Sequence, residues 1–374
     1  MNNERTLRTV IMRGGSSKAL FVAEADLPRE AGARDRFLLA LFGSPDKRQI
    51  DGLGGADYLT SKCAIIGPPT LEGADVDYTI AQVSVEHPVV SFDTNCGNIS
   101  AAVGPYAIEE GIVKAVEPWT EVRVHNTNTG KILRLQVPVR DGRPVSDGDF
   151  EIDGVPGSGA EIKLDFALTV GAATGRLLPT GHASDRIDCE TLGRSVEISV
   201  VDVANPCVYV RARDLGLSGY EPPGTLGAPS YAALEEIRRK SGALAGIESY
   251  LLPFQITVAE PADYQAYVSG RPVPASSFDV GAHLHMEGTV HKAYAGTGAT
   301  CLAVAAHIEG TVVHAVCRRR DVAQPIRIGH PSGILGIVAD VGRDGDRWQV
   351  RQVLFSRTAR RLMEGTAFLS ASRL

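Results

Sequence analysis

The chain has 374 residues, 44% of them hydrophobic, and a net charge of −6. That length supports two domains with separate cores, and the mild acidic balance gives no footprint for nucleic acid. The first ten residues, MNNERTLRTV, lack the apolar stretch of a signal peptide, and no run of about 18 apolar residues marks a membrane span. Six cysteines without CxxC spacing then read as reduced thiols of a cytoplasmic protein.

In chain order, Thr9 to Met12 reads as a strand ending in Arg13-Gly14-Gly15-Ser16-Ser17-Lys18. Two glycines followed by two hydroxyls make either an anion-binding nest of backbone N–H groups or an ordinary hairpin turn. A helix is expected over Asp35–Phe42, closed by Gly43-Ser44-Pro45. Gly52-Leu53-Gly54-Gly55 lacks the spacing of a dinucleotide or P-loop site, so these glycines serve close backbone approach. Leu59 to Ile66 reads as a strand with Lys62 among apolar neighbours. Such a lysine either snorkels from an edge or works as an acid/base in a cleft. Val76 to Val85 is a further strand, and Val89 to Phe92 another short one.

Residues 92–113, FDTNCGNISAAVGPYAIEEGIV, carry the argument. Polar Asp93-Thr94-Asn95 marks a helix start, Gly111 a stop, and Pro105 predicts a kink or weakening between them. Cys96 then stands at the helix N-terminus, where unpaired N–H groups and the dipole favour thiolate. The same N–H groups, at Gly97 and Asn98, can seat a carboxylate. The competing reading is a buried helix with an inert cysteine.

A second stretch, 294–312, is in step with the first: Ala295 against Cys96, Gly97 against Gly296, Glu110-Gly111 against Glu309-Gly310. Likewise Ala19-Leu20-Phe21-Val22 runs to Asp26-Leu27 as Cys207-Val208-Tyr209-Val210 runs to Asp214-Leu215. Two matched pairs in one order indicate a duplicated domain, with the site expected in the cleft between the halves.

Between and beyond these lie the remaining elements. Glu121–His125 and Ile132–Val137 form an expected hairpin around Asn126-Thr127-Asn128-Thr129-Gly130, and 145–161 a Gly/Asp/Pro-rich connection. The domain change is expected within Leu177–Asp188. Val196–Val203 then opens the second half and turns at Ala204-Asn205-Pro206-Cys207. Ser230–Lys240 is expected as an outer helix, and Val312–Cys317 and Gln324–His330 as strands, followed by His330-Pro331-Ser332-Gly333 and a last strand, Thr366–Leu369. His283, His285 and Glu287 would share one strand face. Their spacing matches no zinc signature, so no metal is expected, and His291 is read instead as lining the cleft.

The CGN and GTG helix starts, with a strand-rich unit used twice, resemble the diaminopimelate epimerase fold. Epimerases of that superfamily start both helices with cysteine, whereas this chain has Ala295 in the second. With the GGSSK turn and Gly55-Ala56-Asp57-Tyr58-Leu59-Thr60-Ser61-Lys62, the chain resembles the 2-methylaconitate cis–trans isomerase (PrpF) family. The resemblance implies an α/β (α+β) fold of two pseudo-symmetric domains, each a strand-rich sheet or barrel around a central helix. Their expected bounds are 1–183 with the tail 356–374, and 184–355. It implies catalysis by Lys62 and Cys96, and substrate binding by Ser16, Ser17, Gly97, Asn98, Asn205, His291, Gly296, Thr297, Gly298 and Ser332. Ala19 departs from the glycine of the family's GGTSKG turn.

The implied activity is cofactor-independent movement of a double bond by 1,3-allylic proton transfer. The partner is a small anionic unsaturated di- or tricarboxylate such as a methylaconitate, oxalomesaconate or methylitaconate, and the reading leaves room for a homodimer. The rivals are an epimerase or racemase of a small carboxylate and a non-catalytic carboxylate-binding protein.

Overall fold

A computed structural model describes residues 4–93, 95–286, 288–319, 321, 324–345 and 347–373. The chain forms two compact units: Met1–Glu151 with Gly157–Lys163 and Arg357–Leu374, and Ile152–Pro156 with Leu164–Ser356. In this division residues 164–183 go with the second unit.

The first unit begins with β1 (Glu4–Gly14) and β2 (Ser17–Ala23), an antiparallel hairpin with Gly14 opposite Ser17. After α1 (Ala31–Phe42), β3 (Lys62–Gly67) joins β2 in parallel and β4 (Val76–Val83) joins β3 antiparallel. Helix α2 (Gly97–Glu109) follows, then β5 (Trp119–Asn126), parallel to β4, and β6 (Lys131–Arg140), its hairpin partner. The C-terminal strand Ala359–Ser370 returns to pair antiparallel along all of β1.

Strand alternation decides which face meets which helix. Leu20 and Val22 of β2 join the core beneath α1 with Phe37, Leu38, Leu41 and Phe42. Phe21, pointing the other way, meets Tyr106 of α2 with ring centroids 5.1 Å apart. Helix α1 is amphipathic and lies outside; α2 is apolar all round and buried from Gly97 to Ile108. Helix α1 begins at Ala31, four residues before the expected Asp35, because the Glu30 carboxylate caps it, accepting from Gly32 N (2.9 Å) and Ala33 N (2.6 Å). Its end is as expected: Gly43 takes φ 73°, where glycine meets no Cβ penalty. Helix α2 runs four residues past Pro105, with Glu110 N returning to Tyr106 O at 2.9 Å.

The second unit repeats this plan. Its strands are β7 (Asp185–Cys189), β8 (Arg194–Val203), β9 (Asn205–Arg211), β10 (Phe254–Ala259), β11 (Val280–Met286) and β12 (Ile326–His330). The series ends with β13 (Gly333–Asp344) and β14 (Arg347–Arg357). Strands β8 and β9 form the hairpin, β9 pairs parallel with β10, β10 antiparallel with β11, β11 parallel with β12, and β12 antiparallel with β13. That is the pairing sequence of β1 to β6, strand for strand, and β7 flanks β8 as the C-terminal strand flanks β1. Helix α3 (Ala228–Ala245) covers Val208 and Val210 as α1 covers Leu20 and Val22. Helix α4 (Gly296–His307) is buried over its full length, like α2.

One expected element is of the wrong type. Residues Val312–Val316 form a short helix, α5, not a strand. The β-branched pair Val312-Val313 gave the strand signal, but the Thr311 hydroxyl accepts from His314 N at 3.0 Å and caps a helical turn. The last strand also starts earlier than expected, at Ala359. No helix among the described residues is long and apolar enough to cross a membrane.

Candidate active site

In the first unit, the starts of β2 and β3, the β1–β2 turn and the N-terminus of α2 meet at one end of the sheet. The turn must pass tightly over the helix. Gly15 sits at φ 50°, and a Cβ there would strike the Asn98 amide and the Arg357 side chain, so the position requires glycine. Gly15 N donates to Thr358 O at 2.9 Å, tying the turn to the C-terminal strand. Across the gap Asn98, second residue of α2, donates from Nδ2 to Ser16 Oγ (3.2 Å) and accepts at Oδ1 from Arg357 Nε (2.9 Å). Ser17 is buried, and its hydroxyl has no partner among the described residues.

Arg357 reaches the same helix start, and the sequence does not single it out. It is 3% exposed, and burial drives its pKa well below the usual guanidinium value. It lay in a stretch, RTARRLMEG, whose other arginines look like a solvated face. Only the pairing of the C-terminal strand with β1 brings it to the helix start.

Lys62 opens β3 and is also 3% exposed. Its ammonium donates to Gln82 Oε1 and lies over the Tyr58 ring, 4.1 Å from the centroid. Gln82 Nε2 donates to Ser61 O (3.0 Å) and Tyr58 O (3.3 Å), which fixes its carbonyl toward the lysine. Both of these groups are neutral. Gln82 of β4 stands opposite both Lys62 and Ser91. Lys62 and the segment entering Cys96 are therefore two strand spacings apart, about 10 Å.

Cys96 is the N-cap of α2, half-buried, at φ −118° and ψ 95°, and its thiol makes no capping bond. Gly97 and Asn98 behind it are buried. The first N–H groups of this helix have no intrahelical acceptor, an arrangement that can seat an anion. The Tyr78 phenol is buried nearby, its pKa pushed well above the usual value by burial first and by the neighbouring Cys96 second.

The second unit holds the matching constellation with its chemistry exchanged. Ala295 is the N-cap of α4, half-exposed as Cys96 is, so a methyl replaces the sulfur. Thr297, second residue of α4, accepts at its hydroxyl from Asn205 Nδ2 at 2.9 Å. In the first unit the turn offers the hydroxyl and the helix the amide; here the turn offers the amide and the helix the hydroxyl. Both bonds hold the opening hairpin to the buried helix. Gly296 passes against Phe355, whose ring a Cβ would strike, and Gly298 follows within the buried turn.

His291 is buried, and its Nδ1 accepts from Ala293 N at 3.1 Å, leaving the ring proton on Nε2 in the neutral form. Ser332 sits in the two-residue turn between β12 and β13, its Oγ donating to Lys292 O at 2.5 Å. The Ser332 turn and the His291 segment are thereby joined. Gly154 of the Gly/Pro-rich connection packs on Ser332.

His283 and His285 lie on the wholly buried strand β11, and burial pushes their pKa values down to about 4 and about 3. Glu287 lies outside the described residues. Among the described residues, no group of three His, Cys, Asp or Glu side chains is placed to hold a metal ion.

A family profile described as PrpF protein matches residues 5–370. The chain is 45% identical to the 3-methylitaconate isomerase of Eubacterium barkeri, over 100% of both chains. It is 39% identical to the 4-oxalomesaconate tautomerase of Pseudomonas putida, over 95% of this chain and 94% of that one. A solved structure of a methylitaconate-delta-isomerase superposes with a TM-score of 0.80 at 44% identity, covering 100% of this chain and 97% of that one. A hydroxyproline epimerase from Agrobacterium vitis shares the fold, with a TM-score of 0.59 at 13% identity over 99% and 94% of the chains. On a match that spans nearly every residue, the chain belongs to the PrpF family.

Proposed function

We propose that this protein is an isomerase that moves a double bond within a small unsaturated di- or tricarboxylate by 1,3-allylic proton transfer. The observation that carries this reading is the Cys96 thiol, unused as a cap at the start of a buried helix, in a chain 45% identical to a 3-methylitaconate isomerase. A proton leaves the carbon at one end of the C–C=C unit, and the electron pair delocalises through the double bond into the adjoining carboxylate. A proton then arrives at the other end, so the double bond shifts and hydrogen is conserved.

Lys62 and Cys96 are the acid/base pair in this reading. The N–H groups of Gly97 and Asn98, with Ser16, Ser17 and Arg357, hold charge that accumulates on carboxylate oxygen. Asn205, His291, Gly296, Thr297, Gly298 and Ser332 are assigned to substrate binding. All of these donors are side chains and backbone, so the reaction as proposed needs no cofactor. A cytoplasmic setting fits the six free cysteines. Ala295 in place of a second N-cap thiol speaks against racemisation by two cysteines.

The test is a proton-NMR screen of methylitaconate, methylaconitate and oxalomesaconate. Conversion of at least one to its double-bond isomer is expected. Binding of all three without conversion would leave a carboxylate-binding protein instead.

A further inference from the structure

A cavity of about 230 Å³ in the second unit is bounded by Tyr220, Glu221, Tyr264, Tyr267, His283 and Pro331. None of its side chains is used in the chemistry above. Tyr220 and Tyr264 are stacked at 5.2 Å between centroids, and their hydroxyls donate to backbone carbonyls, Glu260 O and His330 O, each at 2.8 Å. What they offer an occupant is therefore ring rather than hydroxyl. Tyr267 is half exposed at the mouth.

His283 stands edge-on to Tyr220 at 6.3 Å, is 3% exposed, and makes no hydrogen bond among the described residues. Its ring lines the cavity, so an occupant can take up a hydrogen bond with it. With its pKa pushed down to about 4 by burial, it is neutral and keeps an acceptor nitrogen at physiological pH.

Charge selects the kind of occupant. Burial raises the pKa of the Glu221 carboxyl, but Ser218 N (2.6 Å), Ser218 Oγ (2.8 Å) and Gly219 N (3.1 Å) donate to it and hold it below the usual range. The carboxylate is thus ionised. Of the cations that act on the two tyrosines, Arg271 is paired with Asp153 at 2.7 Å, and Arg318 donates to Ala275 O at 3.2 Å. Ring faces, a carboxylate and a neutral imidazole acceptor repel anions and suit a cation that bears N–H.

We propose that this cavity binds a small alkylammonium ion, its charge facing Glu221 and the tyrosine rings and one N–H donated to His283. The volume is below that of drug-sized pockets, which limits the ligand to a few carbons. Pro331 forms part of the wall, and Tyr267 N donates to Pro331 O at 2.6 Å, so the site lies behind the turn that carries Ser332.

The test is calorimetric titration of the full chain with butylammonium, butanol and butyrate near neutral pH, with the His283 ring protons followed by NMR. Saturable binding of butylammonium that shifts the His283 signals is expected. Butanol should bind at least about tenfold more weakly, and butyrate not at all. Tyr267→Ala, at a half-exposed position, and Glu221→Gln should each weaken butylammonium by about threefold to tenfold. The proposal is overturned if butylammonium fails to saturate by about 20 mM. It is overturned equally if butanol binds as well as butylammonium, if His283 does not respond, or if both variants bind as the wild type does.

Discussion

Replacing Arg357 by methionine separates two roles that a buried arginine can play. The change removes the hydrogen bond to Asn98 Oδ1 (2.9 Å). A bond involving a charged group contributes about 1.5–3 kcal/mol, and the orphaned acceptor costs about 1–3 kcal/mol. Against this, the guanidinium is 3% exposed, and burial lowers its pKa well below the usual value. Withdrawing such a charge from water costs several kcal/mol, which an apolar side chain of similar volume does not incur. The two effects nearly cancel, so Tm should change by no more than about 4 °C in either direction. Substrate binding has no such compensation. Losing a desolvated cation that faces a carboxylate costs about 2–5 kcal/mol, or about 30-fold to several thousand-fold in affinity. Scanning calorimetry and inhibition by a saturated dicarboxylate analogue measure the two quantities separately. A Tm loss above about 8 °C with unchanged analogue affinity would make Arg357 a structural brace and refute the reasoning.

Lys62→Ala removes the ammonium held by Gln82 and Tyr58, so it should lower kcat by about 10²–10⁴-fold and raise KM as well; a loss in KM alone would reduce the lysine to a binding residue. Dialysis against a strong chelator should leave turnover intact, whereas loss restored by zinc would point to a metal role for His283 and His285. Stability should fall as the pH drops below about 6.5, the unfolded-state pKa of histidine, because His283 and His285 take up protons in the unfolded chain before the folded one. His283 contributes on the order of 3 kcal/mol above that pH and His285 on the order of 5, lost progressively toward pH 4 and pH 3 respectively. Tm measured from pH 7 to 4 should decline less steeply in His283→Gln than in the wild type. Equal slopes would show that this residue does not govern the decline.

Much of this architecture was legible because the chain states it twice. The step between Cys96 and Ala295 places both residues at the N-caps of their helices, and the match of Ala19–Val22 with Cys207–Val210 falls on β2 and β9. What escaped notice was non-local. Arg357 is reached only because the last strand runs along β1, and no spacing in RTARRLMEG distinguishes that arginine from its neighbours. The exchanged pairs Ser16–Asn98 and Asn205–Thr297 join residues 82 and 92 positions apart, with the residue types reversed between copies. At Val312–Val316 local propensity misled outright, since one threonine cap and packing against α4 outweighed a β-branched pair. Helix α1 starts ahead of its sequence signal because its cap is a glutamate, outside the usual Ser, Thr, Asp and Asn set.

The central claim is that Cys96 moves protons at carbon, and following solvent deuterium into the substrate by proton NMR tests it most directly. In deuterated buffer the wild type should place deuterium at the terminal carbon of the allylic unit, concurrent with the shift of the double bond. Cys96→Ala should fold and bind a dicarboxylate analogue within about threefold of the wild type, while deuterium uptake falls by about 10²–10⁴-fold. Uptake by Cys96→Ala at the wild-type rate, at the same carbon, would leave the thiol without a part in proton transfer and contradict the account.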